Sequence, residues 1–495
     1  RHDTSAADKV YPTTWKITAN QQTFYAAYSR TVTMAYNGNG NTGWSTASHT
    51  ATQYYNTNWD ITTVTFKTST NGFTKTWYTF SKWANDSASG TQVAAWSNAA
   101  GFVPAVDSTS TTKTMYAIWT ANTYTVEYYQ GNNSTTAGST KKWSSSHTYD
   151  TAKALTTYAA LWATAPSGWT FAWWSTSQEG TTVTYTDGQS VKNLTSTAWG
   201  TVKLYAVFKR TIKFNHGVNN VSNSTAEQRY NPYKTDKITA VSAPAPSTTN
   251  LSTYWWAALW YRADSTASTA SYTVTTAAAN ITPAYNVWNS STTVNLYAVY
   301  SRTVTLYSGK AKASNSTPTQ YYNTNGNKVS AISAPAPTAI NTWTAKWYRA
   351  DTTAWDATYA VTTSAVDISP AYNVSNTLYA VYVRDLTMAY NGNGNTGWST
   401  ASHTSPQKYN TNWDITTVTF KTSTNGFTKT WYTFSKWAND SASGTQVAAW
   451  SNAAGFVPAV DSTSTTKTMY AIWTANTYTV EYYQGNNSTT AGSTK

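Results

Sequence analysis

The 495-residue sequence contains no cysteine. That excludes disulfide scaffolds, thiolate metal sites and cysteine nucleophiles. Charge is scarce too: Asp, Glu, Lys and Arg make up 11% of the chain, and its net charge of +13 is spread thinly. Lys and Arg form no runs, so no nucleic-acid-binding patch is expected. No segment approaches the roughly 18 consecutive apolar residues of a membrane span. Residues 1–30 lack the charged start and apolar block of a signal peptide.

What the chain does have is aromatic area. Aromatics reach 15%, with 26 Trp and 38 Tyr, set among Thr, Ser and Asn. Such a chain has enough large rings to bury a core, unlike a disordered one. Thr, Tyr, Trp and Val fit pleated, half-buried surfaces, so the expected fold class is mainly β.

One motif points elsewhere. Residues 31–44 read TVTMAYNGNGNTGW, and Gly38, Gly40 and Gly43 carry the spacing of a dinucleotide-binding turn. That motif needs a helix opening on its last glycine. Here the following residues, WSTASHTATQYYNTNWD, have no apolar spacing of three and four and are rich in residues that compete with helix. A glycine-rich connection between strands is the expectation.

Self-comparison organises the rest. The stretch from Thr33 returns at Thr387, and the two copies differ only at Ala51/Ser405, Thr52/Pro406 and Tyr54/Lys408. A shorter period sits inside. Opening strands centred on Val32, Val126, Ile212, Val304 and Leu386 are spaced by 94, 86, 92 and 82 residues. Each is followed by a Tyr-Asn or Tyr-Asp step, a turn-prone stretch (SAPAP at 242–246 and 333–337), an aromatic strand, and a closing strand such as LYAVY. The expected organisation is a linear tandem array of about five strand-rich modules. They are 31–122, 123–210, 211–302, 303–384 and 385–476, with the end of a preceding module at 1–30 and the start of a further one at 477–495. The chain reads as a window on a longer array.

These landmarks, VTMAYNGNG, SAPAP, YTFSKW and MYAIW in fixed order, resemble the Listeria–Bacteroides repeat, the B-type repeat of internalin surface proteins. The resemblance implies small β-grasp-like modules (an α+β variant included), extracellular or cell-surface placement, and a stalk or surface-display role without catalysis or cofactor. The family carries glycine before the tryptophan of its aromatic strand, where this chain has Lys82, Trp173, Leu259, Lys346 and Lys436.

Individual residues then take roles. Trp83, Trp174, Trp260, Trp347 and Trp437, with Tyr116, Tyr205, Tyr297, Tyr379 and Tyr470, are the expected structural signature, each module using its rings for its own core. Arg30, Arg210, Arg302 and Arg384 end the closing strands. They are read either as clamps between modules or as ordinary strand-end charges, and Thr120 breaks their pattern. His2, His49, His147, His216 and His403 show no metal spacing and read as loop residues open to water. No catalytic or metal-binding residue is expected. Trp44 and Trp398 follow the glycine loop and are the candidates for surface contact. The expected function is a structural repeat region of a long extracellular surface protein, forming a stalk, filament or surface layer. An adhesin whose repeats bind glycans or a host-cell protein is the alternative. Expected partners are neighbouring repeats and copies of the same chain, with cell-surface glycans as candidates and no nucleic acid.

Overall fold

The computed structural model describes residues 24–99, 104–130, 141–233, 235–266, 271–287, 290–355, 358–453 and 456–482. His2 and parts of the expected terminal segments 1–30 and 477–495 lie outside them. Among the described residues the chain is β throughout, and its only helical elements are four 3-residue 3-10 turns. The helix of an α+β module is absent among them. Between an opening strand and its parallel closing strand the chain carries Ser, Thr and Asn, which bond their own backbone and hold irregular turns instead.

The contacts divide the chain into two compact units. The first comprises Arg1–Arg210, Glu227–Thr239 and Pro283–Thr292; the second comprises Thr211–Ala226, Ala240–Thr282 and Thr293–Lys495.

In the first unit, one sheet has the order Asp60–Ile61, His49–Asn56, Ala27–Asn37, Thr112–Ala121, Tyr78–Asn85, Gln92–Val93. Its central pair is parallel, with Thr33 opposite Thr112, and the outer pairs are antiparallel. The alternation read from the sequence sets its faces. Val32 and Met34 of one central strand, and Met115 and Ala117 of the other, are fully buried beneath Trp83. The same pairing recurs where Thr123–Tyr129 lies parallel to Thr201–His216 and Thr170–Ser175 lies antiparallel to it.

The second unit repeats the pattern three times. Thr201–His216 (through residues 211–215), Thr305–Ser308 and Thr377–Asn391 run parallel to Thr293–Thr303, Thr377–Asn391 and Thr466–Ala475 respectively. Ala257–Arg262, Thr344–Arg349 and Tyr432–Asn439 flank them antiparallel. Long strands do double duty here. Thr377–Asn391 closes one arrangement with its first half and opens the next with its second.

The near-identical copies fold alike, one in each unit. The Trp83 ring lies 4.6 Å from Tyr36 and 4.9 Å from Phe80, and Trp437 lies 4.6 Å from Tyr390 and 4.9 Å from Phe434. Their indole N–H groups donate to Ser69 O and Ser423 O, each at 2.9 Å.

The structure differs from the sequence reading at two of the tryptophans, at the closing-strand tyrosines and at Thr120. Every aromatic strand carries a one-residue bulge against its closing strand, falling between Phe80 and Lys82, Phe171 and Trp173, Ala258 and Trp260, Ala345 and Trp347, and Phe434 and Lys436. Counting from the bulge, the counterparts of Trp83, Trp174 and Trp437 are Tyr261 and Tyr348, both fully buried. Trp260 and Trp347 sit one residue earlier, beside Trp173, on the other face. There their indole N–H groups find no hydrogen-bond partner among the described residues. The closing-strand tyrosines also face away from the core. Leu or Met before them and Ala after them are buried, whereas Tyr116, Tyr297, Tyr379 and Tyr470 are half-buried. Tyr205 is covered, stacked with Tyr129 and packed against Tyr233. Finally, strand pairing matches Lys209 with Thr120, and so Arg210 with Ala121, because Thr170 opposite Lys209 corresponds to Thr79 opposite Thr120.

The glycine loop of residues 38–43 joins two antiparallel strands, Ala27–Asn37 and His49–Asn56. The Trp119 indole N–H holds it by donating to Gly38 O at 2.9 Å, and Gly40 adopts φ +77°. No helix opens on it, so a phosphate has no helix N-terminus to approach.

Candidate functional site

The most heavily built polar sites lie at the four arginines. Arg384, within Thr377–Asn391, is 4% exposed. Its Nε donates to Gln407 Oε1 at 2.9 Å, Nη1 to Ser462 O at 3.1 Å, and Nη2 to Pro458 O at 2.9 Å and Ala459 O at 3.3 Å. The guanidinium lies 4.2 Å from the Trp343 ring, and Trp343 donates its own N–H to Val460 O at 2.8 Å. A loop that begins Pro-Ala is thus gripped by a cation and by the ring that covers it.

Arg302 has the same surroundings in the same unit. It donates to Gln320 Oε1 at 3.0 Å, Val374 O at 2.7 Å and Ala371 O at 2.9 Å, beneath Trp256 at 4.4 Å. Trp256 donates to Tyr372 O, and Gln320 donates to Pro370 O, each at 2.8 Å. Burial pulls the Arg302 guanidinium down to about 10, still charged at neutral pH, and pulls Arg384 down as well.

In the first unit, Arg210 donates to Gln228 Oε1 at 2.9 Å and to the carbonyls of Pro283, Ala284, Tyr285 and Val287 at 2.7–3.2 Å. Trp169 covers it at 4.3 Å. Arg30, half-exposed, reaches Gln53 at 2.9 Å and the carbonyls of Pro104, Ala105 and Ser108 at 2.7–3.2 Å. Carbonyls account for most of the acceptors at these four sites. A planar five-donor fork meets several converging carbonyls better than a point charge does.

Sequence reasoning named the arginines but neither their covering tryptophans nor their glutamine partners. The signal was present. Gln precedes the Tyr-Asn step by two residues at Gln53, Gln228, Gln320 and Gln407, and each acceptor loop begins Pro-Ala.

The histidines are not the water-facing loop residues expected. His147 is 1% exposed and His216 9%; both lie on strands, and burial holds both pKa values below the ordinary imidazole value. His147 Nε2 is 3.0 Å from Ser145 Oγ, and His216 Nδ1 accepts from Ser247 N at 3.0 Å. His49 Nε2 lies 2.6 Å from the Tyr36 hydroxyl. Among the described residues, no three potential metal ligands converge. Trp44 and Trp398 are 84% and 83% exposed at the loop surface. No helix among the described residues is long and apolar enough to cross a membrane.

Neither family models nor curated proteins provide a match to the chain.

Proposed function

We propose that the chain is a tandem array of β modules of the Listeria–Bacteroides type, serving as a stalk, filament or surface layer of a long extracellular protein. The observation that supports it is the repeated arginine–tryptophan grip. At Arg302 and Arg384, a residue ending one sequence repeat is buried against carbonyls near the end of the next, where successive modules would need a joint. Buried guanidinium bonds to several carbonyls resist shear and bending together, since breaking one leaves a desolvated partner behind. The grip supplies no nucleophile, base or open coordination site.

Stretching a single molecule tests this. Independent modules of 82 to 94 residues release their length in separate force peaks, each adding roughly 300 Å of chain at about 3.5 Å per residue. One cooperative rupture of the whole chain would defeat the array. Immunogold labelling of intact cells tests placement, and label confined to the cell interior would defeat the surface assignment.

A further inference from the structure

Among the described residues, eleven tryptophans occupy the left-handed backbone region, with φ between +51° and +74°. A bulky L-residue rarely enters that region, because its Cβ meets the following carbonyl. Of the other non-glycine residues there, ten are Asn or Asp, which tolerate it, and only Ala311, Lys312 and Thr342 are neither. Ten of the eleven tryptophans are 59–94% exposed; Trp77 alone is half-buried.

The chain itself shows which residue these positions accept. Three tight turns share the letters YNTN. In two of them the next residue is Trp59 or Trp413, with φ +68° and +74°; in the third it is Gly326, with φ +76°. Three residues before the bulge of the aromatic strands stand Trp77, Trp255 and Trp431, and in the same place Gly168, with φ +79°. Three residues beyond the partner of the core tryptophan stand Trp96 and Trp450, and in the same place Gly188, with φ +63°. Seven of the eleven thus have a glycine counterpart in the same left-handed conformation.

Seven of the other described tryptophans behave differently. Trp83, Trp119, Trp169, Trp256, Trp343, Trp437 and Trp473 lie outside the left-handed region, and each donates its indole N–H to a backbone carbonyl. Among the described residues, no indole N–H of the eleven makes a hydrogen bond of that kind. Trp173, Trp174, Trp260 and Trp347 lie outside that region on the aromatic strands without such a bond, and Trp143 and Trp355 lie outside it and exposed; the seven and the eleven are the two populations that contrast. The first fills cores and grips carbonyls; the second sits at turn tips that need no side chain.

We propose that the second population is glycine in the polypeptide the cell makes: its codon is UGA, decoded as glycine, while the core tryptophans are encoded by UGG. Reassignment of UGA is chemically economical, because a single change of tRNA identity alters every such codon at once. The exposed rings, Trp44 and Trp398 included, then vanish from the native surface, and with them the aromatic platform on which glycan stacking would depend.

Peptide mass spectrometry of the protein isolated from its source decides the matter. Fragments spanning Tyr55–Asp60 and Gln92–Ser97 should each be lighter by the mass difference between tryptophan and glycine, while fragments containing Trp83 or Trp174 should carry tryptophan. Tryptophan at positions 59 and 96 overturns the proposal. The gene gives a second readout: UGG at the codons for Trp59, Trp96, Trp413 and Trp450 overturns it as well. A third readout uses the full chain made in a host that inserts tryptophan. There Trp59→Gly and Trp413→Gly should each raise the folded-to-unfolded ratio severalfold, part of the gain being offset by glycine's freedom in the unfolded chain. Trp83→Gly should lower it by orders of magnitude. Equal or lower stability for the first two variants counts against glycine as the native occupant.

Discussion

Two kinds of strand junction coexist in the molecule. At Arg30, Arg210, Arg302 and Arg384 the arginine stands opposite or beside a glutamine, bonded through Nε. In the first unit, where Thr112–Ala121 gives way to Thr123–Tyr129, Tyr124 stands opposite His147 instead, their rings stacked at 5.5 Å. His147 occupies the glutamine's place, two residues before Tyr149. Here the strand breaks at Asn122, whose backbone N–H donates to Trp77 O and whose carbonyl accepts from Tyr149 N, each at 2.9 Å. Nearby, the Tyr78 hydroxyl donates to Asp150 and holds that carboxyl down to about 2. The two solutions teach that the junction requires a flat group buried between strands, not a charge. An arginine satisfies it with carbonyls and keeps the strand running; a tyrosine–histidine pair satisfies it by stacking, at an interrupted strand.

That contrast can be broken experimentally, most severely at the covering ring. Trp343→Ala removes the lid of Arg384 and the bond to Val460 together, and should cost roughly 3–5 kcal/mol, as large-to-small core changes do. Faster amide exchange around residues 377–391 and 403–410 is the measurement. A smaller loss is expected from Arg384→Lys. The ammonium cannot reproduce the fork over the Pro458, Ala459 and Ser462 carbonyls, so about 2 kcal/mol should be lost, with the same exchange readout.

Acid should separate the two kinds of junction. Imidazole in the unfolded chain takes up its proton near pH 6.5, while burial holds His147 below that value in the fold. Between the two values the unfolded state binds more protons, so stability should fall as pH drops below about 6.5. Exchange should then accelerate first around residues 123–129 and 141–148, with the Arg384 strands unchanged because guanidinium stays ionised. The smallest effect belongs to His147→Gln, which restores the residue used at the other junctions. It should leave neutral-pH stability within about 1 kcal/mol and abolish the local acid response.

The sequence made the strands legible because alternation and β-favouring residues agree along the opening and closing segments: Val32 and Met34, Leu204 and Ala206, and Leu378 and Ala380 all take the buried face. It also showed the repeat, since identical letters at a fixed offset need no physics to find. Tyr261 and Tyr348 were hidden because a tryptophan stands one residue before each, at 260 and 347, and a shift of one residue along a strand flips faces. The arginine grips were half legible. Arg384 was visible at its strand end, but Trp343 and Pro458 lie 41 residues before and 74 residues after it in number, and only folding brings them together. The histidines misled because a polar neighbourhood in sequence, SSSHT at 144–148, becomes a buried strand face beside Tyr124.

The shared strand Thr377–Asn391 bears on how such a gene can change. Its near-identical copies begin inside that strand and inside Ala27–Asn37, at Thr387 and Thr33, with the same register to the neighbouring strand. Unequal crossing-over between the copies would splice a strand onto its own equivalent, leaving every core and every arginine seat intact. Such an exchange would change the length only in whole steps of 354 residues, like a ruler lengthened only by complete divisions.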